Sequence, residues 1–174
     1  MYLISIYFDA ETDKRIRTYI NSIANATGNT AMLDGTVPPH ITVAAFHADS
    51  EKLAKEIFKN GTRGLGQGEV QWVSCGSFLP GVIYAAPVLN VYLQNLVETY
   101  YKELILKEGV RIDGRYQPFC WFPHTTLGKH LTAEELREAF ASMQTCFGPF
   151  CGKVTKIGLA KTNPYTDLEV LNLL

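Results

Sequence analysis

Two short phrases of the chain share the order proline, histidine, any residue, threonine, aliphatic residue. The first is PHITV at residues 39–43, and the second is PHTTL at residues 123–127. In an extended strand, side chains two residues apart lie on the same side. Each phrase therefore predicts an imidazole with a hydroxyl beside it, because His40 shares a face with Thr42 and His124 shares a face with Thr126.

This pairing of side chains suits chemistry at a phosphodiester. A histidine with a pKa of about 6.5 can accept or donate a proton at cellular pH, so two across a cleft can serve as base and acid. Threonine hydroxyls can donate to the non-bridging oxygens. We predict proton transfer by His40 and His124 and phosphate binding by Thr42 and Thr126, without a metal. Which histidine is the acid stays open.

The elements around the first phrase follow from hydrophobic periodicity. Residues 2–8 predict a strand, and the next apolar positions have helical spacing, with Thr12 or Asp13 as the cap and Gly28 as the end. The phrase itself lies on a short strand. A helix capped by Ser50 follows, and Gly61 is predicted to terminate it.

The second half shows a similar order of patterns. A strand pair is followed by a long amphipathic helix with Pro87 in its first turn, a polar loop, the second phrase on a strand, and a helix opened by a capping box from Thr132 to Glu135. Two strands end the chain. The halves form a weak internal repeat, so two copies of one α+β unit can bring equivalent strands to a shared cleft. We expect residues 1–174 to form a single domain of two intertwined lobes.

The phrases PPHITV and FPHTTLGK resemble the paired H-x-T signatures of the 2H phosphoesterase superfamily, which includes 2'-5' RNA ligase-like proteins and cyclic phosphodiesterases. The order of elements, the proline before each histidine, and Lys129 after the second phrase add to the resemblance. It implies a bilobal α+β fold, with an antiparallel sheet flanked by helices in each pseudo-symmetric lobe and a groove between the lobes. It also implies a hydrolase acting on 2',3'-cyclic phosphates or 2'-5' linked RNA or nucleotide ends.

Carried over residue by residue, the resemblance makes His40 and His124 the acid–base pair and Thr42 and Thr126 the phosphate ligands. Possible further substrate contacts are Lys129, Arg115, Tyr84 and Phe46. The chain departs from the family pattern in two places: Phe46 lies one residue later than the usual phenylalanine, and GVIYAAP lacks the basic and tryptophan residues frequent there. Core packing is the alternative for Tyr84, and a solvated loop is the alternative for Arg115.

Three other interpretations compete with the phosphodiesterase. The same groove could hold nucleotide or RNA ends without turnover. Cys120, four residues before His124, could be a cysteine nucleophile, although such a pair is made by the fold and not by local spacing. His47 and His130 could complete a four-histidine metal site, but no carboxylate or cysteine lies at ligand spacing beside them. We therefore expect neither a metal nor a cofactor.

Composition narrows the class of partner. With 47% hydrophobic and 19% charged residues, the chain has an ordinary globular composition. Its formal net charge of -1 gives no strong field for polyanions, which favours a small nucleotide or short RNA end over long RNA. The first apolar run stops at Asp9, too short for a membrane span. We expect a cytoplasmic monomer whose four cysteines, in no C-x-x-C pair, are reduced.

Overall fold

The computed structural model describes residues 1–35 and 37–174. Within these residues the chain forms four α-helices, one short 3-10 turn and eight β-strands, and every strand pair is antiparallel. The predicted α+β class with antiparallel strands is therefore confirmed.

The elements follow one another along the chain with short connections. In order they are β1 Tyr2–Phe8, α1 Ala10–Thr27, β2 Ile41–Ala48, α2 Glu51–Thr62, β3 Gly68–Phe78, β4 Val82–Pro87, α3 Val91–Ile105, β5 Val110–Ile112, the 3-10 turn Gly114–Tyr116, β6 Thr125–Gly128, α4 Ala133–Cys146, β7 Phe150–Lys161 and β8 Thr166–Asn172. The two phrases thus lie where β2 and β6 begin.

The strands form one sheet whose order reveals the internal repeat. That order is β5-β2-β1-β7-β3-β4-β6, with β8 also paired to β7. The run β2-β1-β7 on one side corresponds to β6-β4-β3 on the other, so a pseudo-two-fold axis passes between β7 and β3. The antiparallel sheets predicted for the two lobes are joined along this line, where Val70 pairs with Gly152.

The long helix of each half of the sequence packs against a strand of the other half. Helix α1 contacts α4 and β6, while α3 contacts α2 and β2. Each half of the sequence therefore supports the histidine strand of the other half. The buried side chains Ile16 and Ile23 of α1 and Leu93 and Tyr100 of α3 form this part of the core. Each buried apolar side chain of this size stabilises the fold by about 1.5–3 kcal/mol.

The start of α1 differs from the prediction. Its N-cap is Asp9, whose carboxylate accepts a hydrogen bond from the Thr12 backbone amide at 2.9 Å. Neither Thr12 nor Asp13 serves as the cap, because the helix begins as soon as β1 ends. The Thr12 side chain is buried instead, and its hydroxyl accepts from the Lys153 amide at 3.3 Å. Gly28 ends the helix as predicted, in the left-handed conformation.

Three further boundary predictions have mixed outcomes. The prediction that Gly61 ends α2 is wrong, since the helix continues to Thr62; the position needs a glycine because a Cβ there would clash with the Tyr100 ring. The prediction that Pro87 lies in the first turn of α3 is wrong: Pro87 ends β4, and α3 begins four residues later, where Asn90 caps it by accepting from the Leu93 backbone amide. The capping box from Thr132 to Glu135 is confirmed, with both of its hydrogen bonds present.

The state of the cysteines and the hydropathy of the helices bear on the predictions made from composition. All four cysteines are free, and three of them are exposed. Among the residues that the structure describes, no helix combines the length and the hydropathy needed to cross a membrane.

Candidate active site

The two motif histidines occupy equivalent positions in the sheet. His40 precedes the first residue of β2, and His124 precedes the first residue of β6. Strand β2 pairs with β1, and β6 pairs with β4, at places related by the pseudo-two-fold axis. Burial lowers the pKa of His40 most, and the charge of His124 lowers it further, so the two imidazoles interact electrostatically. The structure thus brings together the two residues predicted for acid–base chemistry.

Both imidazoles are oriented by the same backbone contact. The Nδ1 atom of His40 lies 2.8 Å from the carbonyl oxygen of Pro38, and that of His124 lies 3.0 Å from the carbonyl oxygen of Phe122. A carbonyl oxygen can only accept, so Nδ1 carries the proton in each neutral ring. Each Nε2 then has a free lone pair, which is the state required of a general base.

The surroundings keep both imidazoles neutral at neutral pH. Burial is the main cause and lowers the pKa of His40 and of His124, while the carbonyl contact of each ring raises the pKa in part. At His40 the charge of His124 lowers the pKa further, Asp167 raises it, and Lys129 lowers it. An anion bound between the rings would favour a proton on one of them, which is the arrangement that acid–base catalysis needs.

The two motif threonines differ in how firmly they are held. The Thr42 hydroxyl lies 3.1 Å from the Ser5 hydroxyl, and the two residues face each other across β1 and β2. Thr126 faces Tyr84 of β4 instead. It is only partly buried, and no side-chain hydrogen bond engages its hydroxyl within residues 1–35 and 37–174. Thr126 is therefore the more available donor, and Ser5 is a neighbour that the sequence reasoning missed.

The residues between histidine and threonine face the core. Ile41 and Thr125 are both fully buried. The Thr125 hydroxyl accepts a hydrogen bond from the indole Nε1 of Trp72 at 3.1 Å, so its polar atom is satisfied. A second indole, that of Trp121, donates to the Thr42 carbonyl at 3.0 Å. These two hydrogen bonds fix the starts of β2 and β6, and the side chains of Ile41 and Thr125 face the core as the sequence predicted.

An aromatic wall, formed by Phe78, Tyr84 and Phe122, surrounds His124. The ring centroids of Phe78 and Tyr84 lie 4.8 Å and 5.7 Å from that of His124. Phe78, Phe122 and His124 also line a cavity of about 500 Å³. The sequence reasoning named Tyr84 but missed both phenylalanines. Phe78 reaches the site only through strand pairing, whereas the position of Phe122 beside the motif was an available signal.

The two predicted basic residues differ in exposure and in the groups that they affect. Arg115 is exposed and lines the cavity beside His124, where its guanidinium pairs with Asp113 at 2.6 Å. This contact lowers the pKa of the Asp113 carboxyl. Lys129 is partly buried and acts electrostatically on His40. Cys120 is exposed and also lines the cavity.

Phe46 is in the core, so its predicted substrate contact is wrong. Its side chain is fully buried, and its ring centroid lies 5.8 Å from that of Tyr2. Strict alternation along β2 would place Phe46 on the same face as Thr42. A β-bulge interrupts this alternation, because Ser5 pairs with Thr42 while Ile4 pairs with Ala44. The extra residue turns the following side chains to the opposite face.

The two remaining histidines stand apart from the motif pair. His47 is exposed near the end of β2 and pairs with Arg111 of β5. His130 is exposed in a left-handed turn with φ 57°, and its carbonyl accepts from the Asn29 side-chain amide. Over the part of the chain that the structure describes, no group of three or more His, Cys, Asp or Glu residues could hold a metal ion. The four-histidine metal site is therefore not supported.

Comparison with solved structures finds this fold elsewhere. A structure described as a phosphoesterase aligns with TM-score 0.66 and 17% identity, covering 99% of this chain and 97% of that chain. Escherichia coli LigT in complex with NADP+ aligns with TM-score 0.63 and 17% identity over 99% and 96% of the two chains. A protein of Thermus thermophilus aligns with TM-score 0.62 and 16% identity over 99% and 97%.

Other crystal structures of E. coli LigT contain 3'-AMP, ATP or phosphate. Scans with family models and against curated proteins gave no match. The similarity is therefore one of fold along nearly the whole chain, and it confirms the fold that the resemblance implied.

Proposed function

We propose that this chain is a 2H phosphoesterase, a metal-independent phosphodiesterase for 2',3'-cyclic phosphates or 2'-5' linkages at RNA or nucleotide ends. The observation that carries the proposal is the repeated geometry of His40 and His124. Both lie at equivalent places in a pseudo-symmetric sheet, and both hold Nδ1 on a backbone carbonyl, leaving Nε2 for proton transfer. The fold shared with a phosphoesterase and with E. coli LigT supports this function.

The reaction needs one proton acceptor and one proton donor. One imidazole takes a proton from the attacking water as the new P–O bond forms. The other, protonated on Nε2, gives its proton to the ribose oxygen as the old P–O bond breaks. Protons and charge balance between His40 and His124, and the roles reverse for the opposite direction.

The groups beside the histidines suit a phosphoryl centre. The Thr126 hydroxyl is available to donate to a non-bridging oxygen, and that of Thr42 can donate when it accepts from Ser5. Lys129 adds positive charge on the side of His40. Donors placed where negative charge develops lower the barrier more than the same groups do in water.

The aromatic wall gives a place for a nucleobase. Stacking on aromatic side chains contributes about 1–3 kcal/mol per base and tolerates different bases. Arg115, on the same cavity, can meet a further phosphate or stack on the base. A cavity of about 500 Å³ is of the size that takes a small ligand. These features favour a nucleotide or a short RNA end as substrate, and the structures of E. coli LigT with 3'-AMP and ATP agree with nucleotide binding.

The decisive experiment is a screen of the purified protein against 2',3'-cyclic nucleotides and 2'-5' dinucleotides, with chelator present. Turnover should persist in chelator, and His40→Ala or His124→Ala should each lower it by about 10²–10⁴-fold. Full activity of either variant, or loss of activity on chelation, would contradict the proposal.

Two controls separate the alternatives. Binding of a cyclic nucleotide without product, even at high protein concentration, would favour a non-catalytic module for nucleotide or RNA ends. Cys120→Ser should retain the activity of the unmodified chain, because Cys120 has no part in the two-histidine reaction. Inactivation by this substitution would instead support a cysteine hydrolase.

A further inference from the structure

Three polar residues beside His40 have no part in the reaction described so far. Tyr7 lies near the end of β1, Tyr165 lies in the turn between β7 and β8, and Asp167 lies at the start of β8. The Tyr7 ring meets the His40 ring at an interplanar angle of 61°, with centroids 6.3 Å apart. The Tyr7 and Tyr165 hydroxyls are 3.3 Å apart, and the Tyr165 hydroxyl donates to Asp167 Oδ1 at 2.8 Å.

The direction of this chain of hydrogen bonds follows from the number of protons. A carboxylate can only accept, so the single hydroxyl proton of Tyr165 goes to Asp167. Tyr165 must then accept the proton that Tyr7 offers. Burial is the main cause that raises the pKa of both phenols, which therefore stay neutral. The hydrogen bonds therefore link Tyr7, which lies beside His40, through Tyr165 to the Asp167 carboxylate on β8.

The backbone is shaped to hold Tyr7 in this position. The Tyr7 ring lies over Gly158 of β7, where an added Cβ would come within 2.7 Å of the ring atom Cε2. Val170 of β8 closes the same space from the other side. Tyr7 is only 7% exposed although it faces the site. A side chain at position 158 would push the ring away, so glycine at this position makes the contact with His40 possible.

The second histidine has different surroundings. His124 packs against the rings of Phe78 and Tyr84, which carry no net charge, and Phe122 packs in turn on the Tyr84 ring. Its pKa is lowered by burial and raised in part by the Phe122 carbonyl. The two halves therefore share a motif and a backbone contact. Among the residues that the structure describes, only the His40 ring lies beside tyrosine hydroxyls linked to a carboxylate, whereas the Asp113 carboxylate near the His124 cavity is paired with Arg115.

We propose that Tyr7, Tyr165 and Asp167 form a positioning chain that seats the His40 ring and stabilises the positive charge it carries while it holds a proton. The kinetic part of this proposal rests on the proposed function, whereas the electrostatic part concerns the free protein. The three residues act through His40 and need not touch the substrate.

The charges that reach His40 come from several elements. Asp167 on β8 raises its pKa, while His124 before β6 and Lys129 after β6 lower it. Burial lowers it most, and the Pro38 carbonyl raises it. Asp167 is thus the anionic group that opposes the effect of burial, of Lys129 and of His124 when that ring is protonated. Its removal should lower the His40 pKa further.

The first test follows the two histidines by NMR, using the imidazole Cε1–H signals of the free protein. In Asp167→Asn, the His40 pKa should fall and the His124 pKa should stay unchanged. Asp167 is exposed, so this substitution should leave the fold intact. The matched control is Glu169→Gln, which removes the same charge from the same strand but from a residue paired with Lys59. Equal His40 titration in Asp167→Asn and Glu169→Gln would overturn the proposal.

The second test removes the Tyr165 hydroxyl, and with it the hydrogen bonds to Tyr7 and Asp167, but keeps the aromatic ring. Tyr165→Phe should lower kcat by about threefold to thirtyfold with little change in KM, a smaller loss than the ~10²-fold or more that removal of an acid–base catalyst causes. Tyr92→Phe is the control, because this tyrosine bonds the Gly66 carbonyl elsewhere on the molecule. An unchanged kcat in Tyr165→Phe would overturn the positioning role. If the unmodified chain turned over no diester, the proposed function would fail, and the histidine titration would still decide the electrostatic part.

Discussion

His40 and His124 show how a repeated residue acquires different surroundings. Both rings are fixed by a carbonyl two residues earlier, which is a local consequence of the Pro-His phrase. Other neighbours come from distant parts of the chain: Phe78 and Tyr84 at His124, and Tyr7 with its hydrogen-bonded partners at His40. The two histidines therefore share one backbone contact but have different neighbours, so they can have different roles.

The burial of these histidines predicts that stability falls as the pH falls. Their folded pKa values lie below the unfolded value of about 6.5, so the unfolded chain binds more protons once the pH drops through this value. The free energy of unfolding should decrease from about pH 7 toward the lower folded pKa values. Denaturant titrations at several pH values measure this effect. The double variant His40→Ala, His124→Ala should show a shallower dependence, and an equal slope would contradict the stated cause.

The free hydroxyl of Thr126 predicts a kinetic effect with little effect on stability. Thr126→Val keeps the shape of the side chain but removes the donor, so kcat should fall by about 10²-fold, near the loss seen for an oxyanion donor. Thr126→Ser retains the hydroxyl and serves as the control. Steady-state kinetics on a 2',3'-cyclic nucleotide measures both. Comparable rates in Thr126→Val and Thr126→Ser would show that the hydroxyl has no part in the reaction.

Neighbouring elements determine which side chains reach the groove. The β-bulge in β2 turns Phe46 into the core although the simple alternation of a strand places it beside Thr42. Pairing of β3 with β4 brings Phe78 close to Tyr84, with ring centroids 4.3 Å apart. The loop before β6 supplies Phe122. The aromatic wall is thus assembled from three separate stretches of sequence.

This assembly predicts a role in substrate binding. Phe78→Ala removes one ring of the wall, and a loss of about 1–3 kcal/mol of stacking should raise KM by about fivefold to 150-fold while kcat changes little. Phe119→Ala is a matched control, because Phe119 is 94% exposed on the loop that follows the 3-10 turn. Michaelis kinetics with a cyclic nucleotide compares the two. An unchanged KM for Phe78→Ala would place the base elsewhere.

The two halves of the molecule repeat one order of elements, and their strands join in one sheet. The halves are joined where β3 pairs with β7, and the long helix of each half packs on the histidine strand of the other. Both histidines therefore depend on both halves for their positions. The net charge of -1 adds no broad attraction for nucleic acid to this arrangement.

The small net charge predicts a weak dependence of binding on salt. Each neutralised phosphate contributes a slope of about -0.7 to -0.9 in the logarithm of affinity against the logarithm of salt concentration. A substrate held through one or two phosphates should therefore show a slope of about -1 to -2, measured as KM for a cyclic nucleotide and for a short RNA end. A much steeper slope for the RNA would reveal a longer binding track than the groove described here.

Features that depend on neighbours along the chain could be predicted from the sequence. Alternation in a strand places His40 with Thr42 and His124 with Thr126, and turns Thr125 into the core. The capping box at Thr132 is likewise local, because the partners are three residues apart. These predictions required no knowledge of tertiary contacts, and the α+β order of the two halves followed from the same periodicities.

The residues around the motifs could not be predicted in this way, because long-range contacts bring them there. The bulge that buries Phe46, the wall that places Phe78 at His124, and the chain from Tyr7 to Asp167 all depend on contacts between residues far apart in sequence. Strand pairing and packing select these contacts, and neither leaves a periodic pattern in the sequence. The repeated phrases therefore predicted the shared chemistry, whereas the difference between the two histidines arises from the folded chain.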